Sequence, residues 1–486
     1  MSSRDGGPRV FRAALWAQRQ AAILPAPVRR AGRLVLHRFS GDRTQSGPSE
    51  DWSVPLLPRH GNANVEELLP VATDAPRPDA TTFPVAPVAA GLPVVRCVVA
   101  TGVLDVGGGE QVCALLARRL PEFGVGTTVV YADTRLTGEG DRAGWLAQQL
   151  TEAGVTLVRL SPETAAQWLR EHRPDVVSAH YAPEWMLDAA VEAGVAWVET
   201  LHGLNSLLSA PSWGEERIRS RKFTAIVSVS EMLRRQYLNG NPDFAADRIA
   251  VIPNGAETDR YQPVDRDEAR AALGLGEEFL FLSLARYCLQ KNNFGLVDAF
   301  ADVAARHPEA HLLLAGRADD QLYFAQIEQH ARSLPCADRI HLRGHCRNAP
   351  ALLSAADAFV LDSFFEGSPL STMEALASGL PTIVSDVSGV RETLAGTEHG
   401  KLVGNPGGAP EGVDWEVIGR RRFGGQHNRE ELVAAMSAVV DDQARWRAER
   451  RKLREASAAL FPLDRNVARH AAVLRAVAAG DPLPPD

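Results

Sequence analysis

The sequence has no run of 18 or more apolar residues, so no segment of it is expected to cross a membrane as a helix. Its five cysteines, at positions 97, 113, 288, 336 and 346, include no Cys-x-x-Cys pair. That excludes the paired-thiol motifs of redox and zinc sites, and four of the five stand in strongly apolar or strand-like surroundings. They read as reduced, mostly buried thiols of a cytoplasmic protein. His-Glu-x-x-His is missing as well. His180 and His202 each follow a strand and His341 and His345 lie close to Gly344, but nothing completes a ligand set, and no metal is expected. Without Gly-x-Ser-x-Gly, a hydrolase nucleophile has no support. Gly107-Gly108-Gly109 does not extend to Gly-x-Gly-x-x-Gly, and only Asp133 could stand in for the ribose-binding acid, which disfavours a dinucleotide dehydrogenase. There is no basic excess either: the net charge of −8 argues against a nucleic-acid partner.

The positive charge that is present is concentrated at the start. Residues 1–43 hold nine arginines and two aspartates, a local +7 that leaves −15 for the remainder. Residues 10–39 interleave arginine with Val, Phe, Leu, Trp16 and Ile23, which suits peripheral contact with an anionic membrane at its inner, cytoplasmic face. Pro25 and Pro27 interrupt any single helix there, so an extension that is mobile or docked on protein fits as well. From Ser46 to Pro93 come nine prolines and no sustained periodicity. Residues 1–93 therefore read as a basic, then Pro-rich extension, poorly ordered.

Beyond it the texture changes. The chain as a whole, at 45% hydrophobic and 23% charged residues, has a soluble globular composition, and 486 residues need two or three compact units. Val94–Ala100 is a short β-branched run suited to a strand buried on both faces. It is followed by Gly107–Glu110 and a helical pattern through Val112, Leu115, Leu116 and Leu120. Further strands are expected at 127–131, 155–160, 176–179, 196–201, 225–229 and 249–252. The pattern restarts at Phe279–Ala285 and runs through 311–315, 340–343, 358–361 and 381–384. Alternation of buried strands and helices predicts doubly wound parallel sheets, here two, with ligands bound in a cleft at the carboxyl ends of their strands. Residues 430–479 read as helical throughout, broken near Phe461-Pro462.

The segment Glu366-Gly-Ser-Pro-Leu-Ser-Thr-Met-Glu374 follows one of these strands. Ser368-Pro369 looks like an N-cap followed by proline at the first helical position, with the helix running to Ser378 and Gly379 ending it. Amides at such a helix start can bind a diphosphate, and two carboxylates suit vicinal hydroxyls. Alone, this is two glutamates around a well-capped helix. Arg286 and Lys291, directly after the first strand of the second unit, add two cations that suit a diphosphate whose charge grows as a bond to it breaks.

Taken together, these marks resemble glycosyltransferase family 4 (glycosyl transferases group 1), retaining enzymes of the GT-B fold. They comprise the Glu366–Glu374 segment, Arg286 and Lys291 five positions apart, the hinge Val251-Ile-Pro-Asn-Gly-Ala256, Gly107-Gly-Gly-Glu110, Thr200-Leu-His-Gly203 and Ser228-Val-Ser230 before a helix. The similarity covers about residues 94–475. It implies an N-terminal Rossmann-like acceptor domain at 94–258 and a C-terminal Rossmann-like donor domain at 259–452. A helical segment, 453–486, would cross back to the first domain. The donor would be a UDP- or GDP-sugar, with no cofactor required, and the acceptor a hydroxyl on a glycan, a lipid-linked carrier or a small molecule, as in polysaccharide or glycoconjugate biosynthesis. On this resemblance Glu374 holds the ribose, Glu366 contacts the transferred sugar, and Arg286 and Lys291 bind the diphosphate. Backbone amides of Ser368, Leu370 and Ser371, next to Gly367, support donor hydroxyls or phosphate. Gly108 and Gly109 let the first domain's loop approach the donor, His202 hydrogen-bonds the sugar, and Gly344 and His345 lie near the base. Around the acceptor, Tyr181, Trp185 and Trp213 could stack on a sugar or pack in the core. Two departures stand out: Gly316-Arg317-Ala318-Asp319 replaces the usual Gly-x-Gly, and 404–427 looks like a surface insertion. A non-catalytic sugar-nucleotide binder, or a GT-B epimerase whose base could only be His202, are the alternatives.

Overall fold

The computed structural model describes residues 94–104, 107–132, 145–204, 210–261, 265–346 and 348–485. The N-terminal extension, with its candidate membrane-contact stretch 10–39, and Asp133 lie outside the described residues. Among the described residues no helix is long and apolar enough to cross a membrane, and no group of His, Cys, Asp or Glu is arranged to hold a metal.

The chain forms two compact units. The first contains seven strands, β1 (Val95–Thr101), β2 (Val125–Tyr131), β3 (Leu157–Arg159), β4 (Val176–His180), β5 (Ala196–Leu201), β6 (Ala225–Ser228) and β7 (Ile249–Val251), ordered 3-2-1-4-5-6-7. Every pairing is parallel. The second contains β8 (Phe279–Leu284), β9 (Ala310–Ala315), β10 (Ile340–Arg343), β11 (Ala358–Leu361), β12 (Thr382–Ser385) and β13 (Gly400–Val403), ordered 10-9-8-11-12-13 and again all parallel. The expected strands are present, and β13, whose Gly-Lys-Leu-Val is too short and too polar to stand out in sequence, is an addition.

Both sheets are covered on both faces, which is why their strands read as apolar runs without polar alternation. In the seven-stranded unit Cys97, Val99, Val129, Val176 and Val198 point to one face, where Val467 and Leu474 of the helix Leu463–Ala479 join them. Val98, Ala100, Val130, Val177 and Trp197 point to the other. In the six-stranded unit Phe279, Phe281, Leu312 and Val360 face the helices Asn293–Arg306 and Arg429–Asp441, while Leu280, Leu282, Leu313 and Phe359 face 349–355 and 370–377. The expected long C-terminal helix is three helices, Arg429–Asp441, Gln443–Ala458 and Leu463–Ala479, with a first break at Asp442 as well as the one at Pro462. Cys97, Cys113, Cys336 and Cys346 are buried, Cys288 is half-buried, and none of the five is in a disulfide.

Sheet order decides where chemistry can sit. In each sheet the winding direction reverses between two central strands, β1 and β4 in one and β8 and β11 in the other. The loops leaving the carboxyl ends of those strands diverge and leave a crevice. In the first unit they carry Gly107–Gly109 and Tyr181; in the second they carry Arg286, Lys291 and the approach to Glu366.

Candidate active site

In the six-stranded unit, Arg286 leaves β8 and its guanidinium pairs with Asp319, which also accepts Arg317 Nε at 2.8 Å. Burial pushes the Asp319 carboxyl up, but Arg286 and Arg317 outweigh it and hold it below the usual carboxylate range. The departure Gly316–Asp319 thus has a structural purpose: it supplies the anion that orients Arg286. A Cβ on Gly316 would collide with the Ala285 carbonyl, so glycine there lets the two strand ends come close. Lys291 closes the turn Leu289–Lys291, and Asn292 after it takes a left-handed backbone, φ 44°. Asn292 Nδ2 donates to the buried Asp362 carboxylate at 2.7 Å, and Asn428 Nδ2 does so at 2.7 Å from the other side. Burial raises the Asp362 carboxyl to about 6, while the two amides act to lower it. Phe364 N–H donates to the Gln290 carbonyl at 2.8 Å and Gln290 Nε2 to the Phe365 carbonyl at 3.0 Å, so the Lys291 turn and the loop before Glu366 form one piece. Glu374 is half-buried, and Tyr261 Oη donates to it at 2.6 Å. Gly344 is buried and His345 half-buried where the chain leaves β10.

The helix after Glu366 begins at Leu370, one residue later than expected, and ends at Ala377, with Gly379 left-handed at φ 72°. Ser368 is therefore no N-cap: its hydroxyl is buried with no hydrogen-bond partner, and its carbonyl instead accepts from Asn254 Nδ2 at 2.8 Å. Pro369 fixes φ but lies ahead of the first turn. Residues Glu366–Leu370 belong to the seven-stranded unit although both flanks belong to the other. Gly367 is the reason: a Cβ there would overlap the His202 carbonyl. The segment thus brings Glu366, Gly367 and Ser368 to the end of β5.

In that same unit His202 Nε2 lies 2.9 Å from His180 Nδ1, and His180 Nε2 lies 3.1 Å from Ser178 Oγ. Between two neutral imidazoles one nitrogen must donate and the other accept, so the tautomer of His180 sets that of His202 and hence what His202 Nδ1 offers. Burial depresses all three histidines of the region: His180 well below 6.5, His202 to about 4 and His470, from the C-terminal helix, to about 3, with mutual repulsion adding to it in His180 and His470. Gly109 packs against the Tyr181 ring, which leaves no room for a Cβ, whereas a Cβ on Gly108 would meet nothing within 4 Å. Packing therefore explains the glycine at 109 and not at 108. Tyr181 is 48% exposed with a left-handed φ of 55°, whereas Trp185 and Trp213 pack against the core. Ser230 caps the helix Glu231–Gly240, its hydroxyl accepting Leu233 N–H at 3.2 Å.

Histidines with depressed values bind fewer protons folded than unfolded, so stability should fall as pH drops from 6.5 toward 4, and be fully present above 6.5. Urea midpoints across that range should decline, and His470→Gln should flatten the decline; an unchanged slope would contradict the assignment.

Two family models account for most of the chain. Glycosyltransferase Family 4 matches residues 106–260, and Glycosyl transferases group 1 matches residues 265–458. The chain belongs to the family-4 glycosyltransferases. Mannosylfructose-phosphate synthase of Agrobacterium fabrum is 32% identical over 31% of this chain and 35% of its own. The lipopolysaccharide core biosynthesis mannosyltransferase LpsB of Rhizobium meliloti is 32% identical over 30% of this chain and 43% of its own. The chain thus spans about two-fifths of the length of these curated relatives. Among solved structures, Anabaena Alr3699/HepE in complex with UDP and glucose superposes with a TM-score of 0.65 at 17% identity, covering 79% of this chain and 100% of that one. The fold of this glycosyltransferase is therefore GT-B.

Sequence reasoning missed Asp319 as the partner of Arg286, Tyr261 as that of Glu374, and the Asp362–Asn292 link behind Lys291. Only the first left a signal, in the residues that replace Gly-x-Gly.

Proposed function

We propose that this glycosyltransferase moves a hexose from a nucleoside diphosphate sugar to an acceptor hydroxyl with retention of anomeric configuration. The observation that carries the reading is the pair Arg286 and Lys291 at the switch point of the six-stranded sheet, the first oriented by Asp319 and the second by a turn anchored on Asp362. The bond from the anomeric carbon to the diphosphate oxygen breaks, and the developing anion is neutralised by the two cations. On the same face the acceptor oxygen bonds to that carbon, and its proton passes to the departing phosphate oxygen. No protein nucleophile is needed. Glu374, pre-oriented by Tyr261, holds the ribose, while Glu366 and a neutral His202 contact the sugar. Gly108, which no packing requires, leaves room for the donor. That Alr3699/HepE is described with UDP and glucose supports a sugar nucleotide as donor.

A thermal-shift panel of UDP, GDP, ADP and their common sugars tests this. One nucleotide series at 100 times its Kd is expected to add about 2.7 kcal/mol to stability. NMR of the product should show the donor's anomeric configuration; inversion would refute the mechanism, and an epimer formed from donor alone would replace the transferase reading.

A further inference from the structure

The stretch 404–427 reads in sequence as a surface insertion, yet it is built into the six-stranded unit at the loops that carry Lys291 and lead to Glu366. Asn405 Nδ2 donates to the Phe364 carbonyl at 2.8 Å and to the Asp386 carbonyl at 2.9 Å. Gln426 Nε2 donates to the Gly295 carbonyl at 3.3 Å, in the first turn of the helix that follows Lys291. Between these anchors Asp414 caps the short helix Trp415–Arg421, accepting Val417 N–H at 2.7 Å, and that helix packs against the turn Leu289–Lys291. Trp415 meets Phe365 edge to face, with ring centroids 5.5 Å apart and planes at 89°. Phe365 is itself buried and immediately precedes Glu366.

One edge of the indole is thereby fixed, while 39% of Trp415 stays in water. A tryptophan held by an aromatic neighbour, with about two-fifths of its surface still exposed, leaves part of the apolar burial that so large a ring can supply unused. Its place makes sense where a ligand completes that burial. Sites for small molecules combine such aromatic walls with a few convergent polar groups, and here the polar groups are on the adjoining residues. The C–H face of a pyranose offers what an indole can cover.

We propose that Trp415 is a specificity-determining residue of the donor site, packing on the sugar of the donor so that a sugar nucleotide binds more tightly than the bare nucleoside diphosphate. This rests on the donor reading above. The probes are two matched pairs, UDP with UDP-glucose and GDP with GDP-mannose, titrated calorimetrically into the full chain and its Trp415→Ala and Trp415→Phe variants. In the pair that the unmodified chain binds, Trp415→Ala is expected to raise the Kd of the sugar nucleotide roughly tenfold and leave the bare diphosphate within about twofold. Trp415→Phe should retain most of the difference. Equal weakening of both members of the pair would mean that Trp415 only supports the loops, and no weakening that it touches nothing; either overturns the proposal. A chain that binds neither of these pairs, nor ADP with ADP-glucose, defeats the donor reading itself, and this inference with it.

Discussion

Lys291→Ala is expected to lower kcat for sugar transfer about 10²–10³-fold, equivalent to about 2.7–4 kcal/mol of lost transition-state stabilisation, with a smaller change in donor Kd. The reasoning turns on when the charge is needed. A diphosphate ester carries less charge on its bridging oxygen than the free diphosphate that leaves, so a cation aimed at that oxygen acts mainly in the transition state. Such an effect requires that the cation be in place beforehand. The turn Leu289–Lys291 meets that requirement: Asn292 is held left-handed by its bond to buried Asp362, and Gln290 is tied at both ends to the Phe364–Phe365 backbone. A solvated lysine on a mobile loop would cost only a few-fold on removal. Arg286→Ala should behave similarly. Asp319→Asn, which leaves Arg286 charged but weakens its anchor, should lose less and lose it in kcat. Steady-state rates with the donor chosen by thermal shift, together with Kd values for the same variants, check all three. A Lys291→Ala enzyme within threefold of the parent kcat would remove the lysine from the mechanism.

Much of this was legible in the sequence because buried parallel strands and phosphate-binding loops obey strong local rules. Val95–Thr101 and Phe279–Leu284 are apolar runs that no helix pattern fits, and the residues at their carboxyl ends follow from chain order. Sequence spacing could not show which partners orient those residues. Tyr261 and Glu374 are 113 positions apart, and Asp362 and Asn292 are 70 apart. The N-cap expectation at Ser368 failed for a related reason. Ser-Pro before an apolar stretch is a good local signal, but here Gly367 packs its backbone against His202, and Asn254 takes the Ser368 carbonyl. A tertiary demand displaced the local one. The same holds for 404–427, whose extra length suggested a surface insertion while Asn405 and Gln426 bind it to the sheet's carboxyl edge.

The largest effect on stability is expected far from the chemistry, at Asp357, where the chain enters β11. Its carboxylate is 2% exposed and accepts Arg270 Nη1 at 3.0 Å, Arg266 Nη2 at 2.6 Å, Arg447 Nε at 3.2 Å and the Leu280 amide at 2.9 Å. Arg450 adjoins the cluster but is occupied by the carbonyls of Leu353, Ser354, Ala356 and Ser378. One carboxylate therefore compensates three guanidinium groups, and that of Arg270 is as buried as the acid. Removing it strands that charge, so Asp357→Ala should destabilise the six-stranded unit by about 3–5 kcal/mol. For a unit of this size that corresponds to a melting temperature lower by roughly 6–20 °C. The cost is the penalty of an unpaired buried cation rather than the worth of the pair. Arg270→Leu combined with Asp357→Leu should therefore recover part of it, and equal losses in the single and double variants would contradict that account. The pH dependence separates this cluster from the histidines. Burial pushes the Asp357 carboxyl up, but Arg270 and Arg266 outweigh it and leave it below 3.8. A carboxylate depressed in the folded state contributes fully above its unfolded value, about 4, and loses that contribution as pH falls through the folded value. The decline between pH 6.5 and 4 comes from the histidines that burial depresses, His180, His202 and His470 in the seven-stranded unit and His311, His341 and His399 in the six-stranded unit, and should persist in Asp357→Ala, whereas the steeper fall below about pH 4 should be reduced in that variant.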